Sequence, residues 1–189
     1  MKTRPIWRHC GGVRLSTDPG GPVDPDVEPQ PVDEVDRPAV FTLMAAGWYP
    51  PEQLITQAYG FCFTQRGRVV LVQHHDGSWG LPGGQVEPGE RAEQALVREV
   101  AEEASARVIA SRYLGCQHVW DPEAPAGPTS HYQSRWWARV ELDRWRPNDE
   151  EVARRLVPPA DVLTLLSWSR KEIAHKLLSL AVAVNDVTN

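Results

Sequence analysis

The stretch from Gly83 to Ala106 reads GGQVEPGERAEQALVREVAEEASA, and its second half decides how the chain around it folds. From Glu90 to Ala104 it is built of strong helix formers, with Ala92, Leu96 and Val100 recurring every fourth residue, which predicts an amphipathic helix. Glu99, Glu102 and Glu103 fall at i, i+3 and i+4, so three carboxylates share one helix face. Like charges at that spacing destabilise an isolated helix, and no lysine is interleaved to offset them. One reading is a solvated acidic face. The other is a hard divalent cation, since Mg²⁺ and Mn²⁺ take oxygen ligands from a few carboxylates and complete the shell with water and phosphate oxygens. Just upstream, Pro82-Gly83-Gly84 allows positive φ and close backbone approach, so a main-chain carbonyl can turn toward the same metal. Glu90 opens the helix, and Arg98, four residues before Glu102, can hold a carboxylate in orientation.

Outward from this segment the texture stays regular. Leu54 to Thr64 is rich in β-branched and aromatic residues, and Arg68 to Gln73 follows a Gln-Arg-Gly turn, so the two read as a β-hairpin. Arg107 to Tyr113 and Gln133 to Leu142 read as strands, separated by a Pro- and Gly-bearing loop from Asp121 to Ser130. After Pro158-Pro159 comes a short helical piece, then a helix from Ser169 to about Val184. Strands on both sides of one central helix, with another helix at the end, predict an α/β fold with a mixed β-sheet sandwiched between helices.

The N-terminal end differs in kind. Between Asp18 and Asp36 lie seven acids, no Lys or Arg, five prolines and a Gly20-Gly21 pair, a composition with little to bury and no tolerance for helix. Residues 1–38 are therefore expected to form a flexible acidic, Pro-rich arm, and 39–189 the folded domain. That arm has the alternative of docking on a partner subunit or covering a site. The whole chain, 189 residues with a formal charge of −5, carries 25 acids against 20 bases. Without the seven acids of the arm, 18 acids face 20 bases, so the remainder does not repel an anionic substrate. A general nucleic-acid or anionic-membrane binder is disfavoured by this balance. No apolar run approaches the roughly 20 residues of a membrane span. The N-terminus MKTRPIWRHC lacks the uncharged core of a secretory signal, and a cytoplasmic protein is expected. Cys10, Cys62 and Cys116 are widely spaced and read as reduced thiols.

Taken together, the residues of the central segment resemble the Nudix hydrolase signature, GX5EX7REUXEEXGU with U a bulky aliphatic: Gly84, Glu90, Arg98, Glu99, Val100, Glu102 and Glu103 match. A chance match at these seven positions has odds on the order of 10⁻⁸ per window. Ser105 and Ala106 replace the final glycine and aliphatic, and this paired departure predicts a rebuilt turn with negative φ at Ser105. The resemblance spans about Leu54 to Val184 and implies a Nudix-like α/β/α sandwich. It also implies Mg²⁺- or Mn²⁺-dependent hydrolysis of a phosphoanhydride in a nucleoside diphosphate linked to another moiety, a nucleotide, nucleotide-sugar or ADP-ribose type of small-molecule substrate. In that reading Glu99, Glu102 and Glu103 hold metal, with the Gly83 carbonyl as a further ligand by resemblance. Arg98 and Glu90 orient them, and the general base is Glu99, Glu102, Glu150 or Glu151. Trp120 is the candidate for stacking on a substrate base, and a homodimer is compatible with the family. The alternative is a Nudix-like module that senses a nucleotide or sugar phosphate without cleaving it; relatives of that kind usually lose signature carboxylates, and none is lost here.

Overall fold

The computed structural model describes residues 39–44, 47–124, 127, 129–147, 151–166 and 171–188. The N-terminal arm, Cys10 and Glu150 lie outside the described residues. The strands are β1 (Val40–Leu43), β2 (Ile55–Phe63), β3 (Val69–His74), β4 (Trp79–Gly80), β5 (Gly83–Gln85), β6 (Ala106–Asp121), β7 (Thr129–Leu142) and β8 (Glu151–Val157). The helices are α1 (Ala92–Ala104), α2 (Val162–Leu165) and α3 (Lys171–Thr188). The strands form one sheet ordered β1-β6-β7-β2-β3-β4, with β5 also on β2 and β8 also on β3. β2 and β7 run parallel, and the other pairs are antiparallel. The mixed sheet between helices is thus present.

Alternation along β2 and β3 sorts the core into two layers. Cys62, Val70 and Val72 face α1, where Ala92, Ala95, Leu96, Val100 and Ala104 meet them. Phe61, Phe63, Val69 and Leu71 face the other way, against Val162 of α2 and Leu177 and Ala181 of α3. A sheet covered on both faces has no solvent side, which is why these strands read as nearly continuous apolar runs. For the same reason both Trp136 and Trp137 are buried, one in each layer, although strand alternation predicts that only one points inward. Gly60 lets α1 come close: a Cβ there would lie 2.8 Å from Leu96 Cδ1.

The hairpin of β6 and β7 is longer than its two predicted strands. It pairs from Ala106↔Leu142 out to Asp121↔Thr129, with bulges near Ala110 and Gly115. The predicted loop, Asp121 to Ser130, falls at the hairpin tip and gives up only its end residues to the strands. β1, β5 and β8 have no sequence signal of their own, since each is short or polar and exists only by pairing.

Both ends of α1 are finished by distant residues. At its start, Ala92 N–H donates to Glu52 Oε1 at 2.7 Å and Arg91 N–H to Gln94 Oε1 at 2.9 Å. The helix begins at Ala92, so Glu90 precedes it. At its end Ser105 has φ 44° and ψ 54°, the left-handed conformation, and the predicted negative-φ turn is not formed. The reason is tertiary: Arg154 on β8 donates Nη1 to the carbonyls of Ala104 (2.7 Å) and Ser105 (2.8 Å), while Asp143 N–H also reaches the Ser105 carbonyl (2.9 Å). Arg146 N–H reaches Ser105 Oγ at 3.3 Å. A guanidinium on the last carbonyls of a helix satisfies orphan acceptors and the negative end of its dipole.

Two substitutions check this end of the helix by thermal melting. Arg154→Met should lower stability by about 2 kcal/mol, a fall in Tm of about 4 to 8 °C, since charged hydrogen bonds to otherwise orphaned carbonyls are lost. Ser105→Gly relieves left-handed strain of about 1 kcal/mol but gives up a long hydrogen bond, so a small rise in Tm is expected.

Candidate active site

The spacing of the acidic residues on α1 is local, but their partners come from three segments. Arg98 donates Nε to Glu90 Oε1 (3.1 Å) and Nη2 to Glu90 Oε2 (3.0 Å), a bidentate pair. The same Nη2 reaches the Gln85 carbonyl at 2.8 Å. Nη1 lies 2.8 Å from Glu99 Oε1 and 3.2 Å from Glu102 Oε2. Two members of the carboxylate triad therefore share a basic partner, Arg98, in place of the missing lysine, as its spacing from Glu102 predicts. It comes from one and four residues upstream on the same helix. Arg98's hydrogen bonds, above all, draw Glu90 below the usual carboxylate range, and its carboxylates push Arg98 further toward permanent charge.

Glu103 is positioned differently. It is 6% exposed, and Gly83 N–H donates to its Oε2 at 2.8 Å. Gly83 has φ 145°, and a Cβ there would stand 2.2 Å from the Ala58 carbonyl oxygen, so only glycine fits. A Cβ on Gly84 would stand 2.6 Å from Glu99 Oε1. The glycine pair thus lets β5 slide between β2 and the carboxylate face of α1, leaving Glu99, 4% exposed, against backbone.

The more remote candidates separate. Glu151, 1% exposed at the start of β8, has its Oε1 3.2 Å from His74 Nδ1, and the His74 ring packs where a Cβ of Gly80 would be. This ties it to the segment leading into the glycine pair. Trp120 lies on strand β6, paired with Val40 and Ser130, and is 39% exposed. Cys62 and Cys116 are buried free thiols, with burial raising both pKa values. His74 and Glu52 had no signal in the sequence, because each gains its role from a contact tens of residues away.

Among the described residues, no three His, Cys, Asp or Glu side chains stand together so as to hold a metal ion. The donor chemistry nevertheless fits a hard cation: an all-oxygen set, two buried carboxylates, and a glycine-lined approach that a side chain would fill. A carboxylate has about four lone-pair sites, so a guanidinium and a cation can share one.

A three-layered α/β/α sandwich that sets a carboxylate-bearing helix against a glycine strand defines a recognisable class, and comparison with known proteins identifies it. The NUDIX domain family model matches residues 53–177. The chain belongs to the Nudix family. It is 51% identical over 57 residues to the putative 8-oxo-dGTP diphosphatase YtkD of Bacillus subtilis, covering 30% of this chain and 36% of that protein. It is 50% identical over 53 residues to putative nudix hydrolase 6 of Caenorhabditis elegans, covering 28% and 20%. The chain thus spans well under half the length of these curated relatives. Among solved structures, the Bacillus subtilis pyrophosphohydrolase BsRppH matches with a TM-score of 0.53 at 28% identity, covering 61% of this chain and 70% of that one. A NUDIX hydrolase from Nitrosomonas europaea shares the fold with a TM-score of 0.54 at 20% identity, covering 68% and 89%. Among the described residues no helix is long and apolar enough to cross a membrane.

The Arg98 pair has a pH signature. Because Glu90's folded pKa lies below its unfolded one, its stabilisation is complete above the unfolded value and is lost only as pH falls through the lower, folded value. Glu90→Gln should therefore cost about 1 to 2 kcal/mol at pH 7. In melts at descending pH, the gap to the unmodified protein should close below the ordinary carboxylate range.

Proposed function

We propose that this protein hydrolyses a phosphoanhydride bond in a nucleoside diphosphate linked to another moiety, using Mg²⁺ or Mn²⁺ held by Glu99, Glu102, Glu103 and the Gly83 carbonyl. The observation that carries the reading is the convergence of the α1 carboxylates and Arg98 on the Gly83-Gly84 strand, with the signature carboxylates intact. The names of the relatives, an 8-oxo-dGTP diphosphatase and a pyrophosphohydrolase, support the same bond type. The cation, when bound, supplies charge neutralisation on the phosphate oxygens and a water of lowered pKa.

The protein's own part is positioning. Arg98 fixes Glu90, Glu99 and the more exposed Glu102 in one array and anchors it to β5 through the Gln85 carbonyl. Gly83 N–H holds Glu103. Arg98 and Glu90 are thus positioning residues. Proton abstraction from water falls to Glu99, Glu102, Glu150 or Glu151. The domain from 39 to 189 carries this activity, with residues 1–38 as an appended arm.

Incubation with a panel of phosphoanhydrides and Mg²⁺ or Mn²⁺, with products identified by mass, tests the reading. Glu103→Gln should lower kcat at least about a hundredfold, as expected when a group serving transition-state charge is removed. Near-native turnover in that variant, or full activity in excess EDTA, contradicts the metal assignment. A chain starting at Asp36 should melt and turn over like the full-length one, and loss of folding would place the arm within the domain.

A further inference from the structure

Three strands meet on the imidazole of His74. Val70 and Val72 face α1, and His74, two residues further along β3, shares that face. Its Nδ1 lies 3.2 Å from Oε1 of Glu151, its register partner on β8. On β4, Gly80 pairs with Val72 and so turns its Cα toward the same side. A Cβ on Gly80 would stand 2.7 Å from His74 Nε2 and 3.5 Å from Cε1, and the three atoms nearest to it all belong to that ring. Gly80 is not among the residues of positive φ, so the imidazole and not the backbone conformation excludes a side chain there. The His74 backbone closes the turn into β4 as well, donating its N–H to the Ser78 carbonyl at 3.0 Å and accepting from Gly77 N–H at 2.9 Å.

The segment from Trp79 to Gly84 forms the backbone wall opposite the carboxylates, and three of its six residues are glycines with no side chain to hold them in place. Leu81 anchors it on the far side, buried in the layer under α2 and α3. Further along, the Pro82 carbonyl accepts from Gly60 N–H at 2.9 Å, and Gly83 N–H donates to Glu103. At Gly80 the contact on the α1 side is the His74 ring. Glu151, 1% exposed, fixes that ring through Nδ1, and a carboxylate at one ring nitrogen sets the orientation of the other. The wall is therefore clamped at Gly80 by a side chain that reaches it from β3.

We propose that His74 is a positioning residue for the metal site: its ring, held by Glu151, bears on Gly80 and thereby sets where the Gly83 carbonyl and the Glu103 carboxylate stand. The inference rests on the hydrolase reading only for those two groups as metal ligands. Without the ring, a gap opens on the α1 side of Gly80 and the segment settles into it. Gly83 lies three residues on, so its carbonyl and the N–H that holds Glu103 shift together. Side chains that orient metal ligands in this way typically govern metal affinity by about 10- to 100-fold.

Mn²⁺ binding to the full chain, followed by the electron paramagnetic resonance of free Mn²⁺ without substrate, tests this apart from turnover. His74→Ala should weaken Mn²⁺ about tenfold. Gly80→Ala, whose methyl group strikes the ring, should weaken it by a similar factor and serves should His74→Ala fail to fold. In the double variant the methyl group occupies room the ring has left, so affinity should recover above that of either single variant, a non-additivity that loss of stability alone does not produce. Unchanged Mn²⁺ affinity in either single variant, or a double variant weaker than both, overturns the inference. Mn²⁺ affinity that follows the three variants as expected, in a protein that cleaves no phosphoanhydride, would instead overturn the hydrolase reading and leave this one standing.

Discussion

The guanidinium of Arg98 is the interaction on which the site depends. Five N–H donors in a fixed plane can hold several carboxylates at once, which a lysine cannot do. Here they join the turn before α1 through Glu90, the helix itself through Glu99 and Glu102, and strand β5 through the Gln85 carbonyl. Without that node the helix face would carry mutually repelling charges, and nothing would fix the turn at Glu90 against it. The acidic cluster is thus tolerable because its neutralising group is built into the same helix.

A second constraint is steric. β5 passes so close to β2 that Gly83 has no room for a Cβ, and so close to α1 that one on Gly84 would strike the Glu99 carboxylate. Backbone, not side chains, therefore forms the wall opposite the carboxylates. The Gly83 N–H that results from this approach is what holds the buried Glu103. Two-sided burial of the sheet stiffens the strands beneath, while the caps from Glu52 and Arg154 set where α1 starts and stops.

The opposite face of the sheet shows how one strand set serves two purposes. Along β2 and β7 the residues turned toward α3 change from Gln57, Tyr59, Gln133 and Arg135 at one end to Phe61, Phe63 and Trp137 at the other. The apolar end anchors the helix, and the polar end lies beside β5. Polar residues inside a strand signal nothing singly; aligned by register they become a band.

By itself the sequence determined whatever depends on short spacing: α1, the common face of Glu99, Glu102 and Glu103, Arg98 within reach of Glu102, the family, and strands with strong apolar runs. These are legible because a helix brings residues three and four apart together whatever else the chain does. Only the tertiary structure decided what rests on contacts between distant residues. Ser105 takes the left-handed conformation because Arg154, Asp143 and Arg146 reach it from 38 or more positions away, against the local preference for negative φ. Trp137 is buried as well as Trp136 because helices cover both faces, and Glu151 finds His74 because β8 pairs with β3. The alignment of Gln85, Gln57, Gln133 and Gln117 across the sheet exists only in the register of four strands, since pairing energy between strands is set by partners that no local window contains.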